Sequence, residues 1–436
     1  MLRPMTFRNV FPGPTRVMAL AAIVVLTGGM LYAQVASTGE YDYVPGEVLV
    51  KFKDGTPGAK IASLNHAIGG QVLGTFPGDP GLYQVKVPEA LGAGSAVSFY
   101  NNDDAVEYAE LNIVYYTSAV PNDTRYSQQY ALARIQAPVA WDYHVGDYSV
   151  VLADTDTGMD LTHPDLAQNL WYNPFEVCGD GLDNDGNGYV DDCYGWNFFN
   201  NNNNPSDTNG HGTHTAGTMA AVGNNGLGVA GVMWYAQIMP LKIGPGPTIS
   251  STAGINAIDY AWRNGAWAIN ASWGGLGFSQ SLKNAVDRAG AVGVMVVAAA
   301  GNSGTNNDTR PYYPASYNSP NVIAVAATTS ADARWTSSNY GANSVHLGAP
   351  GTGVLSTYRA GTYASLSGTS MAAPHVTAAV GLIWNYNWAL TYLDVKSIIM
   401  STVDPLPTLQ GRTQTGGRLN LGRALQNTPP LAGAAQ

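Results

Sequence analysis

The sequence predicts an α/β protein in which a doubly wound, mostly parallel sheet follows a small α+β domain of ferredoxin-like order. Three observations carry that expectation. Short apolar runs at residues 150–153, 266–270, 292–299 and 322–326 read as strands buried on both faces. Helix-like segments such as 255–263 and 281–289 lie between several of them, and alternating strand and helix is how parallel strands are joined. Ahead of residue 115 the style differs: apolar and polar residues alternate, as they do along a half-buried strand.

Taken in order, the chain opens with Arg3, Arg8 and Arg16, then an apolar run at 17–26 and small residues up to Ala33. A basic stretch, a short apolar core and a small residue at the end form the pattern of a secretory signal peptide, so 1–33 is expected to be removed and the protein secreted. The run is shorter than the roughly 20 residues a membrane-spanning helix needs. No stable membrane anchor is expected. Within 40–118, residues 45–53 and 81–87 alternate as strands do, 59–67 and 93–100 are helix-like, and 106–110 is a last strand. These segments fit the β-α-β-β-α-β order of a ferredoxin-like domain, with one strand of that order left unmarked by the pattern. Pro121-Asn122-Asp123 marks a linker, 121–426 holds the large sheet, and 427–436 is a short polar tail.

Composition narrows the function. The 436 residues carry a net charge of −10 with only 11% charged side chains, which offers no basic footprint for nucleic acid. The only two cysteines, Cys178 and Cys193, bracket one loop rich in glycine and aspartate; in an exported protein such a pair reads as a disulfide.

Four polar residues stand where chemistry is done. Ser370 lies in Gly368-Thr369-Ser370-Met371-Ala372-Ala373-Pro374-His375, ahead of a run of helix formers at 376–384. A serine in the first turn of a helix sits at the positive end of the dipole beside free N–H groups. Taken alone it is an N-capping serine. The G-x-S-x-G elbow of another hydrolase class is absent from the chain. Asp156 ends an apolar strand ahead of Thr157-Gly158, which places it at the carboxyl edge of the sheet, where open α/β sheets build their sites. His211 lies in Gly210-His211-Gly212-Thr213-His214, where the flanking glycines bring backbone close and a helix at 215–221 begins. Two histidines three apart could also ligate a metal, although no third ligand stands at a recognisable spacing. Asn302 follows Ala300-Gly301 at another strand end, where its amide could donate to an oxyanion.

In this company the chain resembles the subtilase (subtilisin-like) serine proteases. The resemblance rests on Asp156-Thr157-Gly158 with His163-Pro164-Asp165-Leu166, on Gly210-His211-Gly212-Thr213-His214, on Ser272-Trp273-Gly274-Gly275, on Ala300-Gly301-Asn302 and on the Ser370 segment. These follow the family's order across most of 121–424. The resemblance implies Ser370 as nucleophile, His211 as general base, Asp156 as the group orienting the imidazole, and Asn302 with the Ser370 N–H as oxyanion hole. It also implies that Ser272, Trp273 and Gly274 pair with substrate backbone. Ala300, Gly301 and Tyr312 would then line the pocket for the residue before the scissile bond. Residues 40–118 resemble the family's propeptide, an intramolecular chaperone and inhibitor cut off near 115–119. The substrates would be proteins or peptides and the enzyme a monomer. A fold that has lost its chemistry is the rival class, and nothing favours it because all four catalytic positions are filled. One departure stands out: the family usually has an aliphatic residue two before the catalytic aspartate, and here it is Asp154. The register is fixed on Asp156 by Gly158-Met159-Asp160 and 163–166.

Calcium is the expected cofactor. Asp183, Asp185, Asn187, Tyr189 (through its carbonyl) and Asp191 follow the EF-hand order at positions 1, 3, 5, 7 and 9 with Gly188 at 6, although position 12 is Tyr194 rather than glutamate. The resemblance suggests a second site at Asp165 and Asn225 in Gly223-Asn224-Asn225-Gly226.

Overall fold

The computed structural model describes residues 36–37, 42–114 and 119–431; the expected signal peptide 1–33 and most of the expected cleavage segment, 115–118, lie outside the described residues. The chain divides into two compact units, Met1–Tyr115 and Tyr116–Gln436.

The first unit has the expected order: β1 (Asp42–Phe52), α1 (Gly58–Ala67), β2 (Gln71–Thr75), β3 (Leu82–Lys86), α2 (Ala93–Asn101) and β4 (Val106–Ile113). The strands lie side by side as β4-β1-β3-β2, all antiparallel. Along β1, Val48, Val50 and Phe52 turn inward with period two onto Val85, Ala96 and Tyr100. Tyr100 ties the helices together by donating to Asn65 Oδ1 at 2.7 Å, and burial pushes its phenol up to about 12. The sequence pattern did not place β2: its residues are largely exposed and Gly74 sits at a register shift, so no apolar alternation marks it.

In the second unit a run of six parallel strands forms the frame. These are β5 (Val151–Asp156), β6 (Gln237–Lys242), β7 (Ala268–Ala271), β8 (Met295–Ala299), β9 (Val322–Thr328) and β10 (Leu347–Pro350), lying in the order β10-β9-β8-β7-β5-β6. The expected runs at 150–153, 266–270, 292–299 and 322–326 correspond to β5, β7, β8 and β9. The sequence reading did not place β6, because Pro240 interrupts it. The proline is tolerated because the outer neighbour, Trp196–Asn197, pairs only with Leu241 and Lys242.

Helices cover both faces. On one side lie α4 (Ser251–Arg263) and α5 (Gln280–Ala291), following α3 (His211–Ala220) in the chain. Each has a serine N-cap: Ser250 accepts from the Ala253 N–H and Ser279 from the Leu282 N–H. Their inward rows, Ala253, Ala257, Ile258 and Ala261, then Leu282, Ala285, Val286 and Ala289, have the helical spacing of an amphipathic face. On the other side α6 (Thr369–Tyr386) is buried along nearly its whole length, which is why its sequence is apolar all round.

Candidate active site

Parallel strands all point their carboxyl ends the same way, and this is where the four polar residues meet. Asp156 is the last residue of β5, Ser272 follows the end of β7, Asn302 lies three residues past β8, His211 opens α3 and Ser370 is the second residue of α6. Asp156, His211, Ser272, Trp273, Gly274, Asn302, Tyr312 and Ser370 line one cavity of about 540 Å³.

Asp156 is buried, and its Oδ1 accepts from the Thr157 N–H and from His211 Nδ1, both at 2.7 Å. Close packing holds the pair in place. A Cβ at Gly212 would stand 2.1 Å from the Gly158 carbonyl oxygen, so only glycine lets the first turn of α3 lie against the turn after β5. Burial lowers the His211 pKa, but the charge and hydrogen bond of Asp156 overcome it and raise the imidazole to about 9. Asp207 gives a smaller upward push.

Ser370 reflects the shape of α6. Pro374 sits four residues on and has no N–H, so the Ser370 carbonyl lacks its helical donor; Ser272 Oγ donates to it at 2.8 Å instead. The Ser370 hydroxyl itself donates to the Ser272 carbonyl at 2.9 Å. Its hydroxyl proton therefore goes to Ser272 rather than to His211, which lines the same cavity. Asn302 Oδ1 accepts from the Thr369 N–H at 2.8 Å and its hydroxyl at 2.9 Å, which leaves the Nδ2 amide to donate into the cavity.

Ala300 and Gly301 are buried beneath the rim. Tyr312 is half-buried and donates from its phenol to the Gly274 carbonyl at 2.8 Å, with its ring so close that a Cβ on Gly274 would meet it at 2.4 Å. Trp273 is anchored by Nε1 donating to Thr155 Oγ1 at 3.0 Å. His214 turns away from His211: its Nε2 donates to the Val354 carbonyl at 2.9 Å, so the structure does not bring the two histidines together as metal ligands.

The 174–195 loop is closed by the Cys178–Cys193 disulfide, with Cα atoms 5.9 Å apart. Among the described residues, Glu176, Asp183 and Asp185 bring carboxylate oxygens within 4.8 Å of one another. Glu176 was not foreseen, because it lies before the EF-hand-like run rather than at its twelfth position. Asp191 is engaged elsewhere, accepting from the Gly179 and Gly181 N–H groups at 2.7 and 3.1 Å. Asn187 Nδ2 donates to Asp185 at 3.0 Å and Asp192 at 2.8 Å, and its Oδ1 accepts from the Tyr189 N–H. Hard oxygen donors of this kind suit calcium. At the second expected site, Asp165 accepts from Asn225 Nδ2, the Val229 N–H and the Tyr363 hydroxyl, each at 2.9 Å. Beside it Asp123, also unforeseen, accepts from the Asn224 N–H through Oδ2, while its buried Oδ1 has no hydrogen-bond partner. An orphaned buried carboxylate oxygen fits a cation.

The Subtilase family model matches residues 147–423, and the Fervidolysin N-terminal prodomain model matches 32–112. The chain belongs to the subtilase family. It is 40% identical to thermitase of Thermoactinomyces vulgaris over 311 residues, covering 70% of this chain and 99% of that protein. A thermophilic serine proteinase of Bacillus sp. (strain AK1) is 35% identical over 369 residues, covering 84% of this chain and 83% of its own length. Among solved structures, a protease from Pseudoalteromonas arctica PAMC 21717 superposes with a TM-score of 0.60 at 32% identity, over 71% of this chain and all of that one. This subtilase is therefore a subtilisin-like serine protease with an N-terminal prodomain.

Proposed function

We propose that this subtilase is an exported endopeptidase that hydrolyses peptide bonds through an acyl-enzyme on Ser370. The observation that carries the reading is the 2.7 Å contact of His211 Nδ1 with buried Asp156, in a cavity whose other walls hold Ser370 and Asn302. Ser370 Oγ attacks the scissile carbonyl carbon while its proton passes to His211 Nε2. The carbonyl electron pair moves onto oxygen, where the Ser370 N–H and Asn302 Nδ2 receive it. Collapse breaks the C–N bond as His211 returns the proton to the leaving amine, and water then repeats the sequence to free the enzyme. Asp156 holds the imidazole in the tautomer this requires. The Ser272-Trp273-Gly274 segment lies beside that oxyanion position, where extended substrate backbone can pair with it.

Further parts of the reading follow from the same residues. Residues 1–33 direct export, in keeping with relatives such as the extracellular protease of Xanthomonas campestris. Residues 40–118 act as the intramolecular inhibitor of the 121–426 peptidase, which works as a monomer, and cleavage falls near 115–119. Glu176, Asp183 and Asp185 hold one calcium ion, with Asn187 and the Tyr189 carbonyl adjoining, and Asp191 braces the loop. Asp123, Asp165 and Asn225 hold a second. Calcium supplies the positive charge that lets these carboxylates share a small volume.

The test is Ser370→Ala. The variant is expected to fold, to show no proteolysis and to keep its N-terminal domain, because self-cleavage needs the same nucleophile. Normal processing in purified Ser370→Ala would refute the reading.

A further inference from the structure

Asp154 lies two residues before Asp156, on the same face of β5, and is 2% exposed. It sits among the buried apolar residues of β5, so a carboxyl group at this depth calls for an account. Its Oδ1 accepts from Asn270 Nδ2 on β7 at 2.9 Å. Its Oδ2 lies 2.8 Å from the hydroxyl of Thr215, one turn into the helix that begins at His211.

Its surroundings disfavour a charge. The Thr215 hydroxyl proton has three acceptors in reach: Asp154 Oδ2, the Gly212 carbonyl at 3.0 Å and the His211 carbonyl at 3.4 Å. If Asp154 carries a proton on Oδ2, it donates to Thr215 Oγ1, and Thr215 donates back along its own helix. If Asp154 is ionised, Thr215 turns its proton to Oδ2, and a second buried anion stands beside Asp156 with no cation of its own. The titratable groups that act on Asp154 are Asp156 on its own strand and His211 on α3. From the facing elements come only neutral partners, Asn270 on β7 and, through Asn270 Oδ1, Thr377 on α6 at 3.2 Å.

We propose that Asp154 is a neutral carboxylic acid and a positioning residue for the Asp156–His211 pair. It ties the strand that carries Asp156 to the helix that carries His211 and to Asn270, whose Nδ2 also donates to Ser272 Oγ at 2.9 Å. Because it is neutral, Asp156 remains the only anion facing the imidazole from that strand. Burial, reinforced by the charge of Asp156, raises its pKa well above the usual carboxylate range, in agreement with its lack of a cationic partner.

The proposal rests on the triad reading for its role in catalysis, but its protonation state can be tested without activity. The carbonyl stretch of a protonated carboxyl group should appear in infrared spectra of folded Ser370→Ala at neutral pH and vanish in the Ser370→Ala, Asp154→Asn double variant. Asparagine preserves both hydrogen bonds of a neutral acid. Asp154 binds a proton when folded and releases it when unfolded, so its stabilising effect is complete below pH 3.8 and is lost as pH rises toward its folded pKa. Asp154→Asn should therefore gain on wild type about tenfold in the folding equilibrium per pH unit across that window. In active enzyme, kcat/KM rises with pH as His211 loses its proton. That limb should be unchanged in Asp154→Asn, whereas removing an anion would move it to lower pH. Asp154→Val, which cannot bond Thr215 or Asn270, should lower kcat several-fold at unchanged KM, with Asp154→Asn restoring it. A missing band or a shifted limb would overturn the neutral acid, and an Asp154→Val enzyme with wild-type kcat would overturn the positioning role. Activity remaining in Ser370→Ala would instead remove the triad reading and leave the infrared result standing.

Discussion

At the rim of the sheet, Asp154 and Asp156 are buried two residues apart; in the 174–195 loop, Glu176, Asp183 and Asp185 crowd their oxygens within 4.8 Å. The donors differ in origin. The rim pair is met by His211 and Thr215 from α3 and by Asn270 from β7, 55 to 116 residues away in sequence. The loop carboxylates are met by its own backbone: the N–H groups of Asn184 and Asp185 serve Glu176, and those of Asn187 and Gly188 serve Asp183. The rim is therefore as stable as the fold that assembles it, while the loop rests on local closure by its disulfide and, on the proposed reading, on a cation. On the proposed reading, charge at the rim serves chemistry and charge in the loop serves structure.

The largest effect should come from breaking the rim. Asp156→Asn should lower kcat roughly 10⁴-fold, since it loses the charge and the tautomer control that hold His211. Asp154→Asn should stay within a few-fold of wild type. If Asp154→Asn were the more damaging in a stably folded protein, the register of the triad would be wrong. Asn302→Ala should cost roughly 10²–10³ in turnover, the scale on which subtilisins depend on this donor, while leaving KM nearly unchanged.

The same contrast explains what could be read in the sequence. Strands β5, β7, β8 and β9 announced themselves as apolar runs because both faces are covered. Asp156, His211, Asn302 and Ser370 could be found because each sits in a short motif set by its own strand end or helix start. Glu176 and Asp123 were missed because their partners lie outside any local motif: Glu176 precedes the EF-hand-like run, and Asp123 lies 42 residues before Asp165. The Thr215 and Asn270 partners of Asp154 were equally hidden, since only the packing of α3 and β7 on β5 brings them together.

A smaller effect should follow from opening the loop. Removing calcium by chelation should lower the unfolding temperature; a ligand at a hundredfold excess over its Kd contributes about 2.7 kcal/mol. New autolysis cuts should appear between residues 173 and 200, as followed by mass spectrometry. An Asp183→Ala, Asp185→Ala variant should lose most of this sensitivity. If chelator acted as strongly on that variant, the loop would not be the site. The disulfide, closing a loop of this size, should add about 3 kcal/mol in the chain-entropy model.

The smallest effect concerns specificity. The Tyr312 ring occupies space beside Gly274, so it should shorten the pocket and favour small or medium apolar side chains. Tyr312→Gly should shift the Ala-versus-Phe ratio of kcat/KM toward Phe by roughly tenfold. An unchanged ratio would place the ring outside the pocket that reads this residue.

The most direct measurement of the central claim is labelling of the mature enzyme with a fluorophosphonate probe, with the modified peptide located by mass spectrometry. The account predicts one adduct, on Ser370, that is lost in Ser370→Ala and strongly slowed in Asp156→Asn. An adduct on another serine, or undiminished labelling in Ser370→Ala, would contradict it.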